Sequence, residues 1–585
     1  MAEIVFVNAT KEMAVNKEVN GTLLLGTKLL EAGFDVDVLR FGQVDGYQRD
    51  YTTFIEQITR KLLSYEPKCV SFYTLWPYFH AMLRIARELK AVRPDIIIIM
   101  GGPQASATAK AIMDAMDYVD YVCTGEGEDT VLPFFESILR KNGTDIDQVP
   151  GLYYRKDGVV TYTNIEVPLC DLNTLPQWDD RLYIDQYTEP EPAIARPDYF
   201  MNIDVGRGCP YNCSFCSSSY FWRRVYRLKT PERIVEDIRY FHDKFGIKSF
   251  GFSHDAFTTN LKLVDKVCDY FIEQGLDITW NCTARIDCID EDLILKMKKT
   301  GMTQIELGIE TGSLRMQKIT HKNLNLDRAK YMVDFVMKTG VRIGLFFMCG
   351  FPEETLEDLV DTLDLMFELV DKGLDYVSMS YCRFNPNTEI TNKYFDDLYF
   401  DPSIKFMGRG IYGYEEELEV IKANKAIFPF FFHYETPVRR EFQYLTILVT
   451  MYRKFNHSAK FLRQLYNGDN IEFYRDFIRS NQECFDSTIM DISIESQLRP
   501  VEMFAKMLRK FNVPYEKQLL ELMRYDFNYQ RLRDSKDGTV MQDVYHFNYQ
   551  DMLDNLPIEQ YSNHSCLIRL EKQDGTITKQ GYLVE

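Results

Sequence analysis

The sequence predicts an α/β protein in three parts: an amino-terminal doubly wound, Rossmann-like domain, a partial (β/α)6 barrel, and a mainly helical carboxy-terminal domain. Two stretches alternate short apolar runs with helices of about 10 to 15 residues, which is the pattern of parallel strands joined by crossover helices. The last stretch has helical periodicity and many aromatic residues. With 45% hydrophobic and 26% charged residues, the 585-residue chain has the composition of a folded protein rather than a disordered one.

The first domain is expected over 1–141. Apolar runs predict its strands at 4–7, 36–39, 69–73, 96–100 and 121–123. Ligands of doubly wound sheets bind at the carboxyl ends of the strands. The residues at those ends form the first candidate binding set: Asn8, Ser71, Thr74, Leu75, Trp76, Gly101, Gly102, Pro103, Ala105, Gly125, Glu126, Gly127 and Glu128.

A change of pattern separates the two βα series. We interpret 142–200 as a connector that contains a hairpin with an Asp157-Gly158 turn, followed by a proline-rich linker. The barrel is expected over 201–390. Its strands are predicted at 203–205, 249–252, 278–282, 304–307, 342–348 and 376–380, with helices that start near Pro231, Lys262, Glu291, Asp327 and Thr355. Six βα repeats indicate a partial barrel whose chemistry lies on the loops after the strands.

The carboxy-terminal domain is expected over 391–585. Its helices are predicted near 415–427, 438–455, 458–466, 471–480 and 502–524, before a terminal hairpin with an Asp574-Gly575 turn. An aromatic patch at 426–434 favours a place in the core over a place in a substrate cleft. A domain that covers the open side of the barrel would exclude water and oxygen from reactive species.

Charge and hydropathy exclude several classes of protein. The 68 basic and 87 acidic residues give a net charge of −19, which argues against broad binding to nucleic acid. No apolar run approaches the roughly 18 residues of a membrane-spanning helix, and the amino terminus lacks the features of a signal peptide. We therefore expect no membrane span and a cytoplasmic location. There the 13 cysteines stay reduced.

One cysteine cluster follows the first predicted strand of the barrel. Cys209, Cys213 and Cys216 lie within eight residues of each other. Three soft thiolates suit an iron–sulfur cluster or a zinc ion. A structural zinc site needs a fourth cysteine or histidine, and none stands at a matching spacing. The pattern therefore favours an iron–sulfur cluster with one open iron.

The C-x3-C-x2-C spacing, with Phe215 before the last cysteine, resembles the signature of the radical S-adenosylmethionine (SAM) enzymes. This resemblance implies that the three cysteines hold a [4Fe–4S] cluster and that SAM binds the open iron. It also implies cofactor contacts by residues at later strand ends: His254, Asp255, Arg285, Glu310, Ser313, Lys322, Gly350 and Pro352. His254 stands where relatives carry an acidic residue, and Arg285 has a second interpretation as the partner of Asp287.

The strand ends of the first domain resemble the cobalamin-binding domain that precedes the barrel in one branch of these enzymes. The Asp-x-His-x-x-Gly motif of better-known cobalamin proteins is missing, and His80 is the first histidine of the chain. The resemblance therefore implies that the lower face of cobalamin meets Thr74, Leu75 or Trp76 rather than a histidine. A degenerate domain that no longer binds cobalamin is the alternative.

Together the two resemblances imply an anaerobic enzyme. An external one-electron donor such as flavodoxin or ferredoxin would reduce the cluster, and SAM would be cleaved to a 5′-deoxyadenosyl radical. The implied reaction methylates an unactivated carbon of a small-molecule or peptide substrate through methylcobalamin. The alternatives are a radical rearrangement, ring contraction or cyclisation without methyl transfer, and a non-catalytic cobalamin-binding sensor. Nucleic-acid modification is disfavoured by the acidic charge.

Overall fold

The structure is a computed structural model that describes most of the chain. The described residues are 2–9, 20–44, 50–140, 144–182, 201–374, 376–401, 414–453, 455, 458–482, 499–511, 516–533, 539–545, 565–573 and 576–584. They divide into two compact units. The first unit comprises Met1–Gly308, Lys318–Arg342 and Cys382–Glu435, and the second comprises Ile309–Gln317, Ile343–Tyr381 and Thr436–Glu585.

The amino-terminal sheet lies in the first unit and has seven strands in the order β2-β1-β3-β4-β5-β6-β7. Its strands are β1 Ile4–Asn8, β2 Val36–Arg40, β3 Cys69–Tyr73, β4 Ile97–Gly101, β5 Tyr121–Cys123, β6 Leu152–Lys156 and β7 Val159–Tyr162. Strands β1 to β5 are parallel, as predicted, and their side chains are mostly buried because helices cover both faces.

The predicted hairpin is present as β6 and β7. Its turn residues Asp157 and Gly158 both have a positive φ, 52° and 81°, which matches a two-residue turn of the mirror-image type. The hairpin pairs antiparallel to β5, so the first sheet continues past the boundary that we expected at residue 141.

Five helices connect the strands of this sheet. They are α1 Asn20–Glu31, α2 Tyr51–Ser64, α3 Phe79–Val92, α4 Pro103–Ala115 and α5 Val131–Leu139. Helix α4 begins with a proline at its first turn, directly after Gly102. Gly102 has a φ of 95°, and a Cβ there would lie 3.1 Å from the backbone nitrogen of Thr74. The turn from β4 into α4 therefore favours glycine.

The barrel sheet has six strands in the order β15-β14-β13-β12-β11-β8. Its strands are β8 Met201–Asp204, β11 Ser249–Ser253, β12 Thr279–Arg285, β13 Met302–Glu310, β14 Arg342–Cys349 and β15 Tyr376–Tyr381. The strand pairings that the structure describes in this sheet are parallel, which confirms the predicted series. Strand β13 passes from the first unit into the second after Gly308.

Capping residues explain where the helices of the barrel begin and end. The helices are α6 Ser217–Phe221, α7 Pro231–Phe245, α8 Leu261–Gln274, α9 Glu291–Lys299, α10 Leu314–Ile319, α11 Leu326–Thr339 and α12 Leu356–Asp371. Thr230 caps α7 at its amino end, and Gly246 ends it in the left-handed conformation. Thr355 and Asp358 form a capping box at the start of α12.

A two-stranded antiparallel ribbon stands beside the barrel strands in the first unit. It consists of β9 Gly206–Arg207 and β10 Arg227–Leu228, and Arg207 pairs with Arg227 across it. This ribbon was not predicted, because two-residue strands carry no periodicity.

The carboxy-terminal part is mainly helical, as predicted. Its helices are α13 Glu389–Tyr394, α14 Leu418–Ala423, α15 Pro437–Glu441, α16 Leu445–Tyr452, α17 Ala459–Gln464, α18 Asn470–Ser480, α19 Arg499–Leu508 and α20 Glu516–Arg533. An antiparallel sheet follows, with β16 Val540–Tyr545, β17 Ser565–Gln573 and β18 Thr576–Val584. The terminal hairpin is therefore present, and its Asp574-Gly575 turn lies outside the described residues.

The predicted carboxy-terminal domain is divided between the two units. Residues up to Glu435 belong to the first unit and those from Thr436 to the second. None of the helices described in the structure is long and apolar enough to cross a membrane.

Candidate active site

The three cysteines lie on one loop of the first unit, between β9 and α6. Each is half-buried and free. The loop turns back on itself, because the Cys216 amide donates to the Cys213 carbonyl at 3.1 Å. Ser214, inside the loop, donates its amide to the Thr320 carbonyl and accepts from the Ile390 amide, each at 3.0 Å. The loop is thus fixed from two sides by backbone hydrogen bonds.

Two glycines before the cysteines are required by close packing. Gly208 has a φ of 83°, and a Cβ there would lie 2.1 Å from the Val225 carbonyl oxygen. A Cβ on Gly206 would lie 2.6 Å from Cδ2 of His254. These approaches are far inside van der Waals contact, so any side chain at either position would displace the loop.

The chemistry of the thiols fits an iron–sulfur cluster. Burial raises the pKa of Cys209 to about 11 and also raises the pKa of Cys216. Metal binding must therefore displace thiol protons, as it does in structural thiolate sites. Arg285 helps, because its Nη1 donates to Sγ of Cys213 at 3.5 Å. Three sulfur donors on one rigid loop form a soft ligand set for iron.

Arg285, the last residue of β12, is fully engaged by protein groups. Its guanidinium binds Asp287 through two hydrogen bonds of 3.0 Å and donates to the Lys322 carbonyl, also at 3.0 Å. It also lies 3.7 Å from the centre of the Tyr211 ring. The structure therefore shows the pairing with Asp287 and adds contacts to the cysteine loop. Lys322 is buried, and its carbonyl takes part in this arrangement.

His254 and Asp255 follow β11 and hold the cysteine loop. Asp255 accepts from the Gly208 amide at 3.0 Å and from the Ser218 hydroxyl at 2.6 Å, so it joins the two ends of the loop. His254 accepts from the Ala256 amide through Nδ1 at 3.0 Å, which leaves Nε2 to donate to the Arg227 carbonyl at 3.2 Å. Burial lowers the pKa of His254 to about 4. A neutral histidine thus stands at the position where the resemblance implies an acidic residue.

Glu310 and Ser313 lie in the second unit. Glu310 ends β13 with a φ of 69°, a left-handed conformation that is strained for glutamate and frequent at functional sites. The Ser313 hydroxyl donates to Asp358 at 2.5 Å and accepts from the Met316 amide at 3.2 Å. Burial alone would raise the pKa of Asp358. Hydrogen bonds from Arg315, Ser313 and Thr355 outweigh that effect and lower this pKa to about 2. Ser313 therefore holds the turn after β13.

The turn after β14 contains Gly350 and Pro352. Gly350 has a φ of 75°, and its amide donates to the carboxyl group of Glu354. Burial raises the pKa of Glu354 to about 8, and its Oε1 has no hydrogen-bond partner among the described residues. Pro352 is half-buried. Neither Glu354 nor Asp358 was predicted as a site residue, although the Thr355-x-x-Asp358 capping pattern marks Asp358.

Thr74 organises the strand ends of the amino-terminal sheet. Its amide and hydroxyl both donate to the Gly101 carbonyl at 2.8 Å, and its hydroxyl accepts from the Ala105 amide at 2.8 Å. A Cβ on Gly101 would meet no atom within 4 Å, and Leu75 and Trp76 are half-exposed beside it. This open edge of small residues fits the close approach of a flat ligand. Asn8, the last residue of β1, and Ser71, within β3, are both buried.

No histidine of the described residues stands in these strand-end loops. His80 lies on α3 and is buried against the rings of Tyr51 and Phe431, with centroid distances of 6.5 and 5.6 Å. The contact of the lower face of cobalamin with Thr74, Leu75 or Trp76 stays a prediction.

The loop after β5 engages its carboxylates in ion pairs. Glu128 binds Arg207 at 2.7 Å, and Glu126 binds Arg227 and accepts from the Cys170 amide at 3.0 Å. Gly125 has a φ of 74°, and a Cβ on Gly127 would lie 2.9 Å from Leu25. The two carboxylates thus face arginines, and a cofactor contact by this loop stays a prediction. Neither arginine was predicted as a partner of this loop, because nothing in the sequence links Arg207 or Arg227 to it.

The aromatic patch packs as core within the first unit. Phe428 lies 5.8 Å from the Phe79 ring, and the Ile427 carbonyl accepts from Gln104 at 2.6 Å. The patch therefore covers the starts of α3 and α4. This agrees with the favoured interpretation of a core position rather than a substrate cleft.

Comparisons with known proteins match both domains. Residues 18–133 match the B12 binding domain, and residues 203–366 match the radical SAM superfamily. An uncharacterized methyltransferase of Pyrococcus horikoshii is 27% identical over 355 residues, which cover 59% of this chain and 73% of that protein. The anaerobic magnesium-protoporphyrin IX monomethyl ester cyclase of Rubrivivax gelatinosus is 26% identical over 343 residues, which cover 57% of this chain and 59% of that protein.

A solved structure shares the fold. The cobalamin-dependent SAM radical enzyme OxsB, with aqua-cobalamin and SAM bound, aligns with a TM-score of 0.54 and 14% identity over 91% of this chain and 80% of that chain. The barrel, the cysteine loop and the superfamily match define a radical SAM enzyme. Within that class, the chain combines a B12 binding domain with the radical SAM domain, and its cofactors are a [4Fe–4S] cluster, SAM and cobalamin.

Proposed function

We propose that this enzyme methylates an unactivated carbon of a small-molecule or peptide substrate. The observation that carries the proposal is the union of the cysteine loop and the cobalamin-domain loops in one compact unit, joined by buried ion pairs. A cobalamin bound at these loops would lie in the same compact unit as the cysteine loop. The similarity to a protein named as a methyltransferase also supports the proposal.

The cofactors supply the difficult chemistry, namely a 5′-deoxyadenosyl radical from the cluster and SAM and a methyl group from cobalamin. The chain positions them. Cys209, Cys213 and Cys216 would hold the cluster, and Asp255 keeps their loop closed. Thr74 and Gly101 would present a flat edge to cobalamin.

Three SAM contacts that the family resemblance implies lie in the second unit. They are Glu310 and Ser313 after β13 and the Gly350 turn after β14, each at the carboxyl end of a barrel strand. Their backbone conformations are fixed locally, by the Asp358 network and by Glu354. Fixed donors and acceptors orient a ligand without the cost of ordering them at each turnover.

An external one-electron donor would reduce the cluster. Flavodoxin or ferredoxin is the class of partner that we propose, since such proteins supply single electrons at low potential.

Cyclisation without methyl transfer is the second candidate. It is favoured by one observation, the similarity to proteins named as magnesium-protoporphyrin IX monomethyl ester cyclases. The two candidates differ in what happens to the methyl group of SAM.

Methyl transfer to the corrinoid can be tested before the substrate is known. The anaerobic holoenzyme, with cobalamin reduced to cob(I)alamin, would be incubated with SAM that carries a trideuterated methyl group. We expect about one S-adenosylhomocysteine per cobalamin and a trideuterated methylcobalamin, detected by mass spectrometry.

The Cys209→Ala/Cys213→Ala/Cys216→Ala variant is the control for this experiment. It should form no 5′-deoxyadenosine, because the reductive cleavage of SAM needs an electron from the cluster. If the wild type forms 5′-deoxyadenosine but no labelled methylcobalamin, the methyltransferase proposal is wrong and cyclisation becomes the better assignment.

A further inference from the structure

Two arginines on one short ribbon reach the same loop of the cobalamin-binding domain. Arg207 and Arg227 face each other across β9 and β10, so their side chains leave the ribbon on the same side. Arg207 binds Glu128 at 2.7 Å and lies 3.6 Å from Glu126. Arg227 donates to Glu126 at 3.1 Å and makes a second, shorter bond to the same carboxylate. We call Arg207, Arg227, Glu126 and Glu128 the clamp.

Three members of the clamp are buried and Arg227 is half-buried; among the described residues Nε of Arg227 lacks a hydrogen-bond partner, while the carboxylates are paired. The side chains of Glu126 and Arg207 are 3% and 9% exposed. Asp204 accepts from Arg207 at 2.9 Å, the Cys170 amide donates to Glu126 at 3.0 Å, and the Cys170 carbonyl accepts from Arg227 at 2.9 Å. Buried ion pairs of this kind add little net stability, but loss of one partner leaves an uncompensated charge. Such a network therefore specifies one arrangement of the groups that it joins.

Each end of the clamp continues into a loop that serves a cofactor. On the barrel side, Arg207 precedes Gly208, whose amide is held by Asp255, and Cys209 follows. On the other side, the Gly125 amide donates to the Ser106 hydroxyl at 3.0 Å. Ser106 follows Ala105, which is bound to Thr74. Direct hydrogen bonds and ion pairs thus run from the cysteine loop to the edge where cobalamin would lie.

We propose that the clamp sets the distance between the cluster and the cobalt. Its four members are positioning residues, because Glu126 and Glu128 act through the arginines that they bind and not through the cobalamin contact that the resemblance implies for them. The inference rests on the cofactors of the family and not on methyl transfer, so it holds for a cyclase as well. A merely structural role would lower stability when the clamp is broken and leave the spacing of the cofactors unchanged.

The test uses the holoenzyme and the spins of its own cofactors. The singly reduced cluster and cob(II)alamin are both paramagnetic, so electron paramagnetic resonance measures the interaction between them. Glu128→Gln keeps the shape of the side chain and removes its charge, which leaves Arg207 with a weaker partner. We expect full iron and cobalt content in this variant, a weaker or broader spin–spin interaction, and several-fold more 5′-deoxyadenosine released per product formed.

Asp237→Asn is the matched control. Asp237 pairs with Lys229 at 2.8 Å and is as buried as Glu128, but it lies on α7 and belongs to neither cofactor loop. This variant should lose stability and keep the spin–spin interaction of the wild type.

A conservative variant protects the test against misfolding. Glu128→Asp keeps the charge and shortens the side chain by one methylene group, so it should shift the spin–spin interaction less than Glu128→Gln and in the same direction. The proposal is overturned if the spectrum of Glu128→Gln, or of Glu128→Asp when the first does not fold, equals that of Asp237→Asn. An equal interaction would overturn it even if activity were lost.

Discussion

The two cofactor loops of the first unit are built by different means. The edge of the amino-terminal sheet is shaped by small residues and neutral hydrogen bonds, centred on Thr74 and Gly101. The cysteine loop is shaped by charge, because Asp255, Arg285 and Arg207 hold it. An open, uncharged edge suits a large planar ligand, whereas a small metal cluster needs its ligands fixed individually. The first loop should therefore be sensitive to volume and the second to charge and backbone geometry.

The largest effect should come from the cysteines. The triple substitution Cys209→Ala/Cys213→Ala/Cys216→Ala removes all ligands of the cluster, so iron should fall from about four per chain to near zero. Cobalt content should stay that of the wild type, since the other edge is intact. Elemental analysis of the anaerobically reconstituted protein measures both. Cys268→Ala, at a buried thiol of α8, is the control and should keep its iron. Equal loss of cobalt would show that the two loops are not separable.

Gly208→Ala should be next in size. The new Cβ would have a left-handed φ and would lie 2.1 Å from the Val225 carbonyl oxygen, so the loop must move. Gly246→Ala is the matched control, because its φ is 69° and nothing lies within 4 Å of the new Cβ. The control should lose only about 1–2 kcal/mol of unfolding free energy. Gly208→Ala should lose more and bind less iron. Equal losses in chemical denaturation would contradict the packing argument.

His254 should make the apo protein acid-sensitive. Its pKa is about 4 in the folded state, against an ordinary value of 6.5, because burial disfavours the charged ring. The unfolded chain therefore binds a proton first, and stability is lost as the pH falls from about 6.5 through 4. His254→Asn keeps an acceptor for the Ala256 amide and removes the titration. The difference between the denaturation midpoints at pH 7 and pH 5 should be smaller in this variant than in the wild type. An unchanged difference would show that His254 is not the source of the acid sensitivity.

The smallest effect should come from Thr74→Val at the neutral edge. The substitution keeps the shape of the side chain, removes the bond to the Gly101 carbonyl and leaves the Ala105 amide without its acceptor. A loss of about 1–3 kcal/mol in unfolding free energy is expected. Cobalamin affinity, measured by titration of the apo protein, should fall while iron content stays constant. If the iron content falls instead, Thr74 supports the binding of the cluster rather than the binding of cobalamin.

Local sequence features predicted much of the fold. The five parallel strands of the first sheet and the six of the barrel follow from apolar runs at regular spacing, and the cysteine loop follows from three residues on one short segment. Contacts between distant residues were not predictable. Glu126 and Arg227 are 101 positions apart, and a sequence does not show which charges meet. The same reason explains why the cover of α3 and α4 by residues near Phe428 was missed.

The chain leaves the first unit at Ile343 and returns to it at Cys382. The order of synthesis therefore limits when the first unit can complete its folding. The helices α3 and α4 lack part of their apolar cover until residues near Phe428 have been made, and the segment Ile343–Tyr381 of the other unit is made before them. Domains generally fold as units as the chain emerges from the ribosome. Here the helices of the amino-terminal sheet complete their packing only when residues much later in the chain have been synthesised. For example, Gln104 donates a hydrogen bond to the carbonyl of Ile427, which lies 323 positions later. A nascent chain stalled after the barrel would therefore expose apolar helix surface to chaperones and proteases.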